Sequence, residues 1–152
     1  MEVPVRLFLS TLTTVSLVSS LFAADTQPLL RKRVVGLDSK KRESCEIFVD
    51  DRASGRAIRG KYLGSLYTTE ERSFSVVYGD ITDRVEKAAA APLAKSRTVV
   101  SYPTPNSVRI TYEAKNASGG WTTLYESSPV NEKTTPDGGA ADLVGLLDQY
   151  CY

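Results

Sequence analysis

The side chains best able to do chemistry in this 152-residue chain are two cysteines, Cys45 and Cys151, and a scatter of carboxylates. There is no histidine, which excludes Ser-His and Cys-His nucleophiles, imidazole acid–base pairs and His-ligated metals. Two cysteines are too few for a structural zinc site or an iron–sulfur cluster. Glu46, Glu70, Glu71, Glu113 and Glu126 could in principle supply the paired carboxylates of a glycoside hydrolase, but no spacing singles out a pair. Asp50-Asp51 and Asp80…Asp83 lack the alternating ligands and distal glutamate of a calcium loop, and read as turn and cap residues. Ser101 with Lys95, or Ser44 with Lys41, imitates a Ser-Lys dyad without a motif. Gly119-Gly120 is followed by no Gly-Lys-Ser/Thr that would hold a phosphate. The expectation is a protein that is not an enzyme, with no cofactor and no metal.

Strand and helix signals are clear from Cys45 onward. Cys45–Val49 alternates and ends at Asp50-Asp51; Ile58–Tyr67 alternates loosely, with Gly60 and Gly64 permitting a bend; Ser73–Tyr78 puts Phe74, Val76 and Tyr78 on one face. Val108–Ala114 is the cleanest strand. With Thr98–Tyr102 and Trp121–Glu126 beside it, and turn residues between, 98–126 reads as an antiparallel meander. A central helix is expected over Asp83–Ala91, capped by Asp80 or Thr82 and stopped by Pro92. A second is expected over Ala140–Tyr150, where Ala140, Leu143, Val144, Leu147 and Cys151 form one apolar stripe. The fold class is therefore α+β: an antiparallel sheet of about six strands, a central helix and a C-terminal helix.

Charge divides the chain. Residues 1–42 hold seven basic and three acidic side chains, and residues 43–152 hold twelve basic and fifteen acidic ones. Leu7–Ala23 is uncharged and follows Arg6, so 1–24 reads as an export signal that is removed, after which nothing holds the protein to a membrane. Residues 25–42 then read as a disordered basic leader. Its clusters Arg31-Lys32-Arg33 and Lys40-Lys41-Arg42 make Arg33 and Arg42 sites for dibasic-specific processing proteases, in which case the leader is a pro-segment. Alternatively it is a solvated basic tail. The folded domain is expected over 43–152. Its acidic excess disfavours nucleic acid as a partner.

In an oxidising compartment the even, minimal cysteine count reads as one disulfide, Cys45–Cys151, tying the ends of the domain together. Asn116-Ala117-Ser118 is a glycosylation sequon in a hairpin loop. Aromatic residues on alternating strands are mostly packing groups, but a subset on an exposed face would make a recognition surface; Trp121, Tyr112 and Tyr125 are the candidates.

A signal segment, a leader ending in Lys-Arg and a body of about 110 residues (43–152) with an end-to-end disulfide resemble the layout of small secreted fungal effectors. The order of hairpin, helix and meander is similar to their RNase-like subgroup, although the aromatic-x-Cys motif of many effectors is replaced by Glu43-Ser44-Cys45. The resemblance implies a secreted, extracellular, non-catalytic interaction protein acting on a host protein. A small secreted hydrolase using carboxylates and a bacterial periplasmic binding or inhibitor protein are the alternatives.

Overall fold

Nine residues of the basic stretch, Pro28–Gly36, form the strand (β1) on which the two halves of the sheet meet. In the computed structural model the described residues are 27–37, 41–50, 54–63, 65–75, 80–91, 95–98, 102–104, 106–129, 131–134 and 138–152. The strands after β1 are β2 (Lys41–Val49), β3 (Ser54–Leu63), β4 (Leu66–Ser75), β5 (Lys95–Thr98), β6 (Val108–Lys115), β7 (Trp121–Ser128) and β8 (Asn131–Thr134). They make one eight-stranded antiparallel sheet in the order β4-β3-β2-β1-β6-β7-β8-β5. Helix α1 (Ile81–Ala90) follows β4, and α2 (Gly138–Tyr150) ends the chain.

The position of β1 corrects the reading of 25–42 as a disordered leader and of 43 as the start of the domain. Leu30 is fully buried, and Arg33 lies opposite Ser44 of β2 on one side and Thr111 of β6 on the other. Arg42 is likewise laddered, between Val35 and Tyr62. Processing proteases need an extended, unpaired backbone, so the two proposed cleavage sites are corrected as well. The expected signal segment, 1–24, lies outside the described residues. The charge argument changes too. With Arg6, Glu2 and Asp25 set aside, residues 27–152 hold 18 basic and 16 acidic side chains, so the acidic excess that disfavoured nucleic acid is gone.

Strand alternation assigns the two faces of the sheet. Leu30, Cys45, Ile47, Ala57, Tyr112, Ala114 and Leu124 share one core with Ile81, Val85, Ala88 and Ala89 of α1 and Ala140, Leu143, Leu146 and Leu147 of α2. Both helices therefore cover the same face. Helix α1 buries residues at i, i+4, i+7 and i+8, and stops at Ala91, extended before Pro92. Asp80 does occupy its N-cap position, but its carboxylate holds the Arg84 guanidinium (2.9 Å) rather than a backbone N–H. Arg84 also reaches Asp142 of α2 (3.4 Å).

Other expectations are met in part. Ile58–Tyr67 is not one strand but the end of β3, a turn and the start of β4. Gly60 gives room for a ring rather than a bend: a Cβ there would strike the Tyr67 side chain. Trp121–Ser128 pairs with β6 as expected, but Thr98, the first residue of the expected strand Thr98–Tyr102, belongs to β5, which does not. It pairs with β8 at the far edge, because β1 occupies the open side of β6. The expected Val76, Tyr78 and 99–101 lie outside the described residues.

Cys45 and Cys151 are bonded, with Cα atoms 5.7 Å apart and a sequence separation of 106. The bond fastens the end of α2 to β2 on the helix-covered face, where both sulfurs are buried. Phe74 of β4 stacks on Tyr150 at 3.7 Å between ring centroids, extending that seam towards the sheet edge. Closing so long a loop constrains the unfolded chain, so removal of the bond (Cys45→Ser with Cys151→Ser) should cost about 2–5 kcal/mol. Urea unfolding of the oxidised protein and the double variant checks this; equal midpoints would show that the α2 seam holds without the bond.

Candidate functional site on the uncovered sheet face

Every second residue of the strands points away from both helices, and on the central strands these residues are strongly polar. β1 contributes Arg31 and Arg33, β6 contributes Arg109, Thr111, Glu113 and Lys115, and β7 contributes Trp121, Thr123 and Glu126. Antiparallel register puts Arg31 directly opposite Glu113, and Lys115 directly opposite Trp121.

Glu113 organises this cluster. Its side chain is only 6% exposed although it lies on the uncovered face. Arg31 donates from Nε to Oε2 (2.7 Å), and Arg33 grips both oxygens, with Nε at 2.9 Å and a terminal nitrogen at 2.8 Å. Three charge-assisted bonds offset the desolvation of one carboxylate, and the two planar cations roof it over. The Arg31 guanidinium also lies 4.2 Å from the Trp121 ring centroid, and the Lys115 ammonium lies 5.0 Å from it. Carboxylate, guanidinium, indole and ammonium thus form a continuous chain across β1, β6 and β7.

At the other end of the same face, Arg33, Val35, Leu37, Arg109, Thr111 and Glu126 line a cavity of about 340 Å³. Of the carboxylates considered for hydrolysis, Glu126 lines this cavity and the other four do not. Glu71 is paired with Arg56 (3.5 Å). Glu70 faces the helix side, opposite Arg59. Glu113 is held by its two arginines. Among the described residues no three acidic or cysteine side chains are gathered to hold a metal ion.

The three aromatic candidates separate. Trp121 is half-buried within the cationic cluster on the uncovered face. Tyr112 is corrected: it is 5% exposed and faces the helices, where its hydroxyl donates to Asp148 of α2 (2.7 Å). Lys32 reaches the same oxygen (2.6 Å). Burial, the Asp148 hydrogen bond and the Asp148 charge all push the Tyr112 phenol above its ordinary pKa. Tyr125 is half-buried against the core, its ring 5.7 Å from that of Tyr112. On β2, burial of Glu43 opposes ionisation, yet the hydrogen bond from Arg59 (2.7 Å) and the charges of Arg59, Lys41 and Lys61 outweigh it and lower its pKa.

Asn116 stands in the β6–β7 turn as expected, but its side chain is part of the turn. Its Oδ1 accepts from Ser118 Oγ (2.7 Å) and from the Gly120 N–H (2.8 Å), while Gly119 takes a φ of 82°. Ala117 to Gly119 are exposed.

Arg31, Arg33 and Glu113 were not singled out together as a site by sequence reading. The available signal was the alternation Arg-Lys-Arg, which on a strand sends two cations to one face and one to the other. No family model, curated protein or solved structure matches this chain.

Two outcomes follow for stability. Glu113→Gln should cost about 3 kcal/mol, the low end for breaking a buried ion pair, since the Arg33 side chain is 45% exposed. Glu71→Gln, on a pair exposed at both ends, should cost less than about 1 kcal/mol. Equal losses in chemical unfolding would deny Glu113 its organising role. Tyr112 predicts an alkaline effect: the unfolded phenol ionises near its ordinary 10.0 and the folded one does not, so stability falls as pH rises past that value. Tyr112→Phe should remove this fall and lose about 1.5 kcal/mol at neutral pH, the small end for a bond to a half-exposed charge. Phenolate absorbance during alkaline unfolding reads it directly.

Proposed function

We propose that this chain is an exported, non-catalytic interaction protein that binds a host protein through the uncovered face of its sheet. The observation that carries the reading is the cluster of Arg31, Arg33 and Lys115 around Glu113 and Trp121. Partly exposed cations beside a half-buried indole suit an anionic protein surface, giving electrostatic steering together with a large, rigid contact. Such a role would be effector-like, in keeping with the layout that the chain resembles. The buried disulfide is compatible with an oxidising, extracellular setting, and no described helix is long and apolar enough to cross a membrane. The non-catalytic part of the reading is supported by the engagement of Glu113, whose oxygens are both occupied by arginine.

Affinity capture from host extract should return a partner that Lys115→Glu and Trp121→Ala each weaken by at least about tenfold, equivalent to about 1.4 kcal/mol. Lys87→Glu, exposed on α1, should bind as the unaltered protein does. Equal retention by all the variants would remove the uncovered face from the reading. Turnover of a glycan that disappears with Glu126→Gln, folding intact, would replace it with the hydrolase.

A further inference from the structure

The cavity between the ends of β1 and β6 has the composition of a ligand site. Arg33 and Arg109 lie on neighbouring strands, where Val35 is the direct partner of Arg109 and Thr111 that of Arg33. Both arginines and Thr111 share the lining with Val35, Leu37 and Glu126. Arg33 is already gripped through Nε and one terminal nitrogen by Glu113, which fixes the plane of its guanidinium before any ligand arrives. Arg109 is exposed. Val35 and Leu37 are large apolar side chains left 37% and 45% open, adjacent to these cations.

We propose that this cavity binds a carboxylate carried on an apolar body. Charge count selects the head group: Arg31, Arg33 and Arg109 against Glu113 and Glu126 leave the cavity and the clamp behind it with a single positive charge, which one carboxylate neutralises and a phosphate dianion would overshoot. Paired guanidinium groups offer the forked N–H geometry that planar carboxylates accept. The apolar pair selects the remainder, since burying Val35 and Leu37 is favourable only against hydrocarbon. The volume of about 340 Å³ lies at the small end of ligand pockets. Free organic acids and the C-terminal carboxylate of a peptide ending in apolar residues share this chemistry. The inference deepens the proposed function, because the cavity lies on the same face, but it concerns residues distinct from Lys115 and Trp121.

The test is a titration of the nitrogen-15-labelled full chain with octanoate, with N-acetyl-leucyl-leucine, and with two neutral analogues, octanol and the dipeptide amide. The expected result is saturable shifts of the Arg33 and Arg109 Nε signals and of the Val35 and Leu37 amides, produced by an acid and not by its neutral analogue. Arg109→Gln should weaken that binding at least about tenfold. Leu37→Glu, which places a like charge beside the incoming head group, should do the same. Response to octanoate alone would assign the site to free acids, and response to the dipeptide acid alone would assign it to chain termini. Either supports the proposal. It is overturned if neither acid saturates, if the neutral analogues shift the same signals equally, or if neither variant weakens binding. Lys115→Glu should leave the acid titration unchanged, so loss of the host partner and loss of the cavity ligand are separable results.

Discussion

A single carboxylate decides how the middle of this sheet can be built. Glu113 points to the uncovered face, yet is sealed from water by Arg31 and Arg33 of the strand beside it. Neither side of that arrangement is stable alone, since a buried carboxylate without its cations carries an uncompensated desolvation cost. The consequence is positional. Arg31 and Arg33 must lie two residues apart on a strand antiparallel to β6, in the register that puts Arg31 opposite Glu113. Slipping by one residue would send both arginines into the apolar core and bring Lys32 out. The clamp is thus a register device, and it acts on the strand that joins the two halves of the sheet.

Lys32 shows the same logic on the other face. Between two arginines that point away from the helices, it points towards them and meets Asp148, which also accepts the Tyr112 hydroxyl. Asp148 is therefore a common anchor by which α2 is held over β1 and β6. The Cys45–Cys151 bond lies three residues further along and fixes the same helix to β2. Polar contacts and the covalent bond specify where α2 lies, while Leu143 and Leu147, fully buried, supply the apolar area that makes lying there favourable.

The parts legible in the sequence were those encoded by local pattern. Val108–Ala114 and Trp121–Glu126 alternate cleanly, and their turn residues sit between them. The stripe Ala140, Leu143, Leu147 repeats at helical spacing and carries Cys151 to the core side, so the disulfide could be read as well. β1 was hidden for a physical reason. Its apolar face offers Leu30 and Val34 around Lys32, and three successive cations resemble a solvated run. What makes them a strand is the matching charge of Glu113 and Asp148, about eighty and more than a hundred residues away, which no local window contains. The expectation of Thr98–Tyr102 beside β6 has the same origin: without β1, the open side of β6 falls to another segment. The type of Trp121 and the turn before it mark it in the sequence, but its setting between Arg31 and Lys115 depends on β1 and cannot be read without it.

The hidden strand also alters what the surface can do. Counting the body from residue 43 describes an acidic protein, whereas the laddered chain from residue 27 carries a slight basic excess. Net charge is a weak guide in either case, because the cations are placed unevenly. Arg31 and Arg33 are brought beside Arg109 and Lys115 by pairing, and only Glu113 and Glu126 face them on the three central strands. Glu113 contributes to that field mostly as a fixed neutralising partner, so the face presents Arg109, Lys115 and the outer edges of two clamped guanidinium groups. Preorganised cations lose less freedom on binding than lysines on a mobile tail do. The stretch that reads as a disposable leader therefore supplies both the register of the sheet and two positive charges held in place by Glu113 on its open face.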